Sequence, residues 1–84
     1  MMVVEKILSL VGTDAHISIT VEDDGMQYAF NTKVTEAYLL HDKLAFGYED
    51  TWFAVENISS YKENESEDEY VITKGNRSII FFIY

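Results

Sequence analysis

His16-Ile17-Ser18-Ile19-Thr20-Val21-Glu22-Asp23-Asp24-Gly25-Met26-Gln27-Tyr28-Ala29-Phe30-Asn31-Thr32 decides how this chain is read. Apolar side chains recur at every second position on both sides of Asp24-Gly25, the alternation of a strand with one face toward a core. An Asp-Gly pair suits the central positions of a type I′ turn, where both residues need positive φ. With that pair as the turn, Val21 faces Tyr28, Ile19 faces Phe30 and Ile17 faces Thr32, while Glu22, Thr20 and Ser18 face Gln27, Ala29 and Asn31. One apolar and one polar face emerge from the same register, so the pattern and the turn support each other.

The same reasoning works at the C-terminal end. With Gly75-Asn76 as a type II′ turn, Ile72 pairs with Ile79 and Tyr70 with Phe81. Tyr70, Ile72, Ile79, Phe81 and Ile83 then share a face, and Val71, Thr73, Ser78, Ile80, Phe82 and Tyr84 form the other. Both faces of this last strand are apolar, so it is central, covered on its second side, or paired with another chain. Between the hairpins, residues 35–40 and 44–48 flank a His41-Asp42-Lys43 turn, and residues 51–55 follow a Glu49-Asp50 turn. That register sets Phe46 against Phe53, Leu44 against Val55, and Trp52 across from Gly47, where a ring covers bare backbone. Residues 58–62 read as a further strand. Ahead of all this, Val3, Val4, Ile7, Leu8 and Val11 have helical spacing, with Gly12 placed to end the helix.

The fold expected is mainly β (α+β): a short N-terminal helix, then an antiparallel meander of about seven short strands forming a twisted sheet or small barrel. The rhythm of Tyr38 to Phe46, then Ile58-Ser59-Ser60-Tyr61, then Tyr70 to Phe81, resembles the middle of pleckstrin-homology-like and GRAM-like barrels over about half the chain. That resemblance implies a small barrel. The sequence departs from it in having no helix after Tyr84 to plug a barrel and no basic loop for a phosphoinositide.

With 84 residues the chain is read as one domain, residues 1–84. It carries 15 Asp and Glu against 6 Lys and Arg, a net charge of −9, which disfavours a basic nucleic-acid binder or a binder of anionic membranes. A hydrophobic content of 48% favours folding over disorder. The absence of Cys excludes thiol catalysis, disulfides and thiolate metal sites. Residues 1–12 lack the charge order and cleavage site of a signal peptide, and no apolar run spans a bilayer, so a cytoplasmic protein is expected.

Glu63-Asn64-Glu65-Ser66-Glu67-Asp68-Glu69 is the most unusual stretch. If extended, Glu63, Glu65, Glu67 and Glu69 project from one side about 6.8 Å apart, twice the ~3.4 Å strand rise. A fixed anionic row of that kind can stand in for a phosphate backbone and occupy a groove lined by Arg and Lys. Glu22, Asp23, Asp24, Glu49 and Asp50 add acid at turns and would extend the negative surface if they lie at the same end. As a metal site the sequence is poor: Asp23-Asp24-Gly25 is followed by Met26, Gln27 and Tyr28 where a calcium loop needs further oxygen ligands. His16 and His41 lack the spacing of a zinc pair. Ser59-Ser60 has no nucleophile-elbow setting, and the four glycines are dispersed, which leaves no phosphate-cradling loop.

The function expected is therefore a non-enzymatic acidic module, without metal or cofactor, that binds a partner protein. It docks as inhibitor or adaptor on a basic, nucleic-acid-binding surface in the manner of a nucleic-acid mimic. In charge and size it resembles the anti-restriction and anti-CRISPR proteins of phages. Its carriers would be Glu63, Glu65, Glu67, Asp68 and Glu69, helped by Glu22, Asp23, Asp24, Glu49 and Asp50. An alternative is an assembly subunit, possible as a homodimer, in which residues 79–84 pair between chains. Phe82, Tyr84, Trp52 and Tyr38 fall on the less protected faces and are the candidate self-association anchors.

Overall fold

The computed structural model describes residues 1–65 and 69–84, Glu65 by its backbone alone. A helix α1 (Met2–Ser9) precedes eight strands: β1 (His16–Asp23), β2 (Met26–Lys33), β3 (Glu36–Leu40), β4 (Lys43–Tyr48), β5 (Thr51–Val55), β6 (Lys62–Glu65), β7 (Glu69–Lys74) and β8 (Arg77–Ile83). They form two open antiparallel sheets, β2-β1-β8-β7-β6 and β3-β4-β5, and no closed barrel arises among the described residues. Residues 58–62, read above as a strand, contain a 3-10 turn at Ile58–Ser60; the backbone is extended from Tyr61, and β6 begins at Lys62.

The first hairpin has the register its alternation demands: Val21 opposite Tyr28, Ile19 opposite Phe30, Ile17 opposite Thr32. Asp24 at φ 50° and Gly25 at φ 86° give the turn its type I′ geometry. Ile72 opposite Ile79, Tyr70 opposite Phe81, and Phe46 opposite Phe53 hold in the other hairpins. The third turn is the two-residue pair His41-Asp42, both at positive φ, with Leu40 opposite Lys43.

The inner faces of the two sheets meet over a cluster of rings. Phe46 lies 5.8 Å from Phe53 and 6.1 Å from Phe81, centroid to centroid, and Phe30 lies 5.7 Å from Phe53 at the rim. Ile17, Ile19, Val21, Leu44, Ile72 and Ile79 complete the layer, all but sealed from solvent. α1 adds Val3, Val4 and Ile7 to this core, and Leu10 just after the helix is buried as well. Leu8 and Val11, which share the helical spacing of Val3, Val4 and Ile7, are exposed. The helix ends at Ser9, so the 3.6-residue period that would carry Val11 inward is interrupted, and Leu10 turns in.

β8 is the middle strand of its sheet, with β1 on one side and β7 on the other. That explains its two apolar faces and corrects one expectation: residues 79–82 are paired on both sides and do not form an edge.

Candidate protein-binding surface

Alternation along β8 sends Phe81 into the core and Phe82 and Tyr84 to the outer face of the five-stranded sheet. His16 and Tyr84 exchange both backbone hydrogen bonds at 3.0 Å, which places their side chains as direct cross-strand neighbours. Their rings stack at 5.8 Å, and Tyr84 stacks in turn on Phe82 at 5.9 Å. The result is a row of three rings on the sheet surface, with Phe82 39% and Tyr84 59% exposed. Half-buried Ile80 and Val71 continue the apolar strip. Glu69 is opposite Phe82 and Glu22 is opposite Ser78, so each carboxylate residue belongs to this same outer face, toward opposite ends of the strip.

The acidic residues divide into sets with different neighbours. Glu63 is opposite Ile72, on the inner face, and its two carboxylate oxygens accept hydrogen bonds from the Met2 N–H at 2.9 Å and the Val3 N–H at 2.6 Å. The chain reverses between β6 and β7, with Glu65 opposite Tyr70, so Glu63 and Glu69 are on opposite faces of the sheet instead of in one line. The Glu67 and Asp68 expectations lie outside the described residues, as does the Glu65 side chain. The Glu22-Asp23-Asp24 turn sits beside Gly75-Asn76, with the Asp24 N–H pointing to the Asn76 carbonyl at 3.5 Å. That end of the sheet is the one away from the β6–β7 connection. Asp23 also faces Arg77, carboxylate to guanidinium, at 3.9 Å. The Glu49-Asp50 turn lies near the other end: Thr51, next to it, shares a shallow hollow with His16 and Lys33.

On the outer face of the three-stranded sheet, Trp52 lies against Gly47 and Tyr38 approaches it at 6.2 Å between ring centroids. The indole N–H donates to the Glu49 carbonyl at 2.9 Å, so Trp52 anchors the β4–β5 turn while 41% of it remains exposed. An open groove of about 410 Å³ runs past Tyr38 and Leu40 to His41, Lys43, Glu56 and Asn57. Next to it the Asp42 carboxylate accepts the Ser59 N–H at 3.1 Å and the Ser59 hydroxyl at 2.6 Å. The serine hydroxyl is thereby directed to a carboxylate, and the two bonds tie the His41-Asp42 turn to the 3-10 turn at Ile58–Ser60.

Sequence reasoning missed two of these roles, the Glu63 contact with α1 and the Asp42 contact with Ser59, because their partners are 60 and 17 residues away. Among the described residues no three His, Asp or Glu side chains gather as a metal site, and no helix is long and apolar enough to cross a membrane. No protein-family model matches the chain, and no curated protein or solved structure is significantly similar to it.

Proposed function

We propose that the chain is a non-enzymatic acidic interaction module that docks the outer face of its five-stranded sheet on a basic surface of a partner protein, as inhibitor or adaptor. One observation carries this reading: the exposed ring row of His16, Tyr84 and Phe82, with Glu22 and Glu69 toward the two ends of its strip. Aromatic side chains on a rigid sheet lose little entropy when they anchor an interface, and acid around them selects a cationic counterpart. The net charge of −9 adds long-range steering toward such a surface, of the kind nucleic-acid-binding proteins carry. The docking differs from a phosphate-like row, because Glu63 is turned to α1 and contributes nothing to the outer face.

Affinity capture from the native host tests this reading, comparing the unaltered chain with the pair F82S/Y84S and the pair E22K/E69K. The expected partner has a basic surface, is lost with both pairs, and dissociates between about 50 and 500 mM salt as screening shortens the reach of the charges. A partner retained by both pairs, or one held equally at the two salt concentrations, overturns it.

A further inference from the structure

Among the described residues β2 is the longest free edge of either sheet, eight residues against four for β6 and five each for β3 and β5. Edge strands in folded proteins are usually blunted by charge, proline or a bulge. β2 has none of these from Met26 to Thr32, although the chain as a whole carries 21 charged residues (15 acidic and 6 basic) and a net −9. It also holds the most exposed large apolar side chain of the described residues, Met26 at 76%, followed two positions on by Tyr28 at 54%.

The direction of the free backbone groups follows from the ladder. His16 exchanges both of its bonds with Tyr84 of the C-terminal segment, so in β1 the even-numbered residues bond toward β8 and the odd-numbered ones toward β2. Met26, Tyr28, Phe30 and Thr32 receive those bonds, being opposite Asp23, Val21, Ile19 and Ile17. Gln27, Ala29 and Asn31 therefore direct their N–H and C=O groups away from the sheet.

We infer that β2 pairs antiparallel with β2 of a second copy of this chain, joining two five-stranded sheets into one. The strand is self-complementary for this. With Ala29 opposite Ala29, the outward groups of Gln27 meet those of Asn31 in the second copy, and both carboxamide side chains fall on one face. On the other face Tyr28 meets Phe30 and Met26 comes beside Thr32, which takes the exposed Tyr28 and Met26 side chains out of solvent. In this register each Lys33, bonded to Asp14 of its own chain at 3.0 Å, comes beside the Asp24-Gly25 turn of the other copy, so antiparallel pairing sets a cation next to acid and not acid next to acid. Two chains of net −9 repel at long range, and salt screens that repulsion. Self-association of this kind tightens with added salt, the reverse of docking on a basic partner, and it uses a different surface from the ring row.

Sedimentation equilibrium at rising chain concentration and at low and high salt, combined with residue-resolved amide exchange, tests the pairing. The mass is expected to climb from 9.7 kDa toward twice that value, more readily at high salt, with exchange slowing at Gln27, Ala29 and Asn31. A29P is expected to remain folded and monomeric, because proline at an edge position removes an N–H that the ladder does not use. Y28K, a change on an exposed side chain that leaves the backbone alone, is expected to lose association too and decides the matter should A29P fail to fold. The inference is overturned by a single monomer mass under all conditions, by association that survives Y28K, or by protection that appears at Ala37 and Leu39 of β3 and not on β2.

Discussion

Glu63 and Val3, 60 residues apart in sequence, are joined by a 2.6 Å hydrogen bond from the Val3 N–H to the Glu63 carboxylate, whose other oxygen accepts from Met2. The first turn of a helix leaves backbone N–H groups without intrahelical partners and carries the positive end of the helix dipole. Here the missing cap comes from β6, since no side chain at the helix N-terminus itself supplies one. The contact ties the start of α1 to β6, on the same helix whose Val3 and Ile7 are sealed in the core.

Replacing Glu63 tests that coupling. Glu63→Ala removes a charge-assisted pair of bonds and is expected to cost about 1–3 kcal/mol, with Glu63→Gln losing less because its amide oxygen still accepts one bond. For a domain of this size each kcal/mol lowers Tm by about 4–8 °C. Thermal unfolding followed by circular dichroism measures both, and equal loss in the two variants contradicts the bonding scheme.

Gly47 and Trp52 form a second coupled pair. A Cβ on Gly47 would strike the Thr51 carbonyl oxygen and lie 2.9 Å from the Trp52 Cα and 3.0 Å from its indole. Two of these atoms are backbone, which cannot swing aside as a flexible side chain does. Gly47→Ala is expected to destabilise by about 1–3 kcal/mol through overpacking, because Gly47 is buried within β4 and the space its Cβ would need is already filled. Trp52→Phe keeps a ring over the glycine but loses the bond to the Glu49 carbonyl, at a cost of about 1 kcal/mol. Urea unfolding of both variants and of the double variant checks the coupling, since independent sites would simply add.

Lys33 offers a test by pH. Its ammonium donates to Asp14 at 3.0 Å, and that hydrogen bond, with the attraction of the carboxylate behind it, holds the Lys33 pKa above its ordinary value. A group whose pKa is higher folded than unfolded adds stability that is complete below the unfolded pKa and disappears as pH rises through the folded one. The contribution therefore fades as pH rises through the alkaline range. Titration of the Lys33 side chain by NMR is expected to show the midpoint falling in Asp14→Asn, and the alkaline part of the stability profile flattening with it. A midpoint unmoved by that substitution contradicts the pairing.

What could be read from the sequence was whatever two strands had to agree upon. Ile19 and Phe30, or Ile72 and Ile79, fix each other because a one-residue slip would turn both apolar sets outward. The acidic stretch had no such cross-check. Its alternation predicted a one-sided row, yet the chain reverses between Glu65 and Tyr70, and the Met2 and Val3 amides engage Glu63 from a distant element. Asp42 is similar: the turn was legible, but its hold on Ser59 depends on where a later segment passes. Local patterns report faces and turns, whereas the roles of single polar side chains are set by tertiary neighbours.

Phe81 and Phe82 carry the last prediction, because adjacent residues of one strand have opposite duties. Phe81 is sealed in the core, in ring contact with Phe46 and Phe53, and its truncation to Ala is expected to cost about 3–5 kcal/mol through lost burial and the cavity left behind. Phe82 is 39% exposed on the outer face, so Phe82→Ser is expected to cost under about 1 kcal/mol by comparison with ordinary surface changes. Chemical unfolding of the two variants separates them. If Phe82→Ser unfolds the chain as Phe81→Ala does, the outer face is part of the structural core of the molecule and is not available to anchor a partner; if it leaves stability intact while capture of the basic partner is lost, the ring row is an interface.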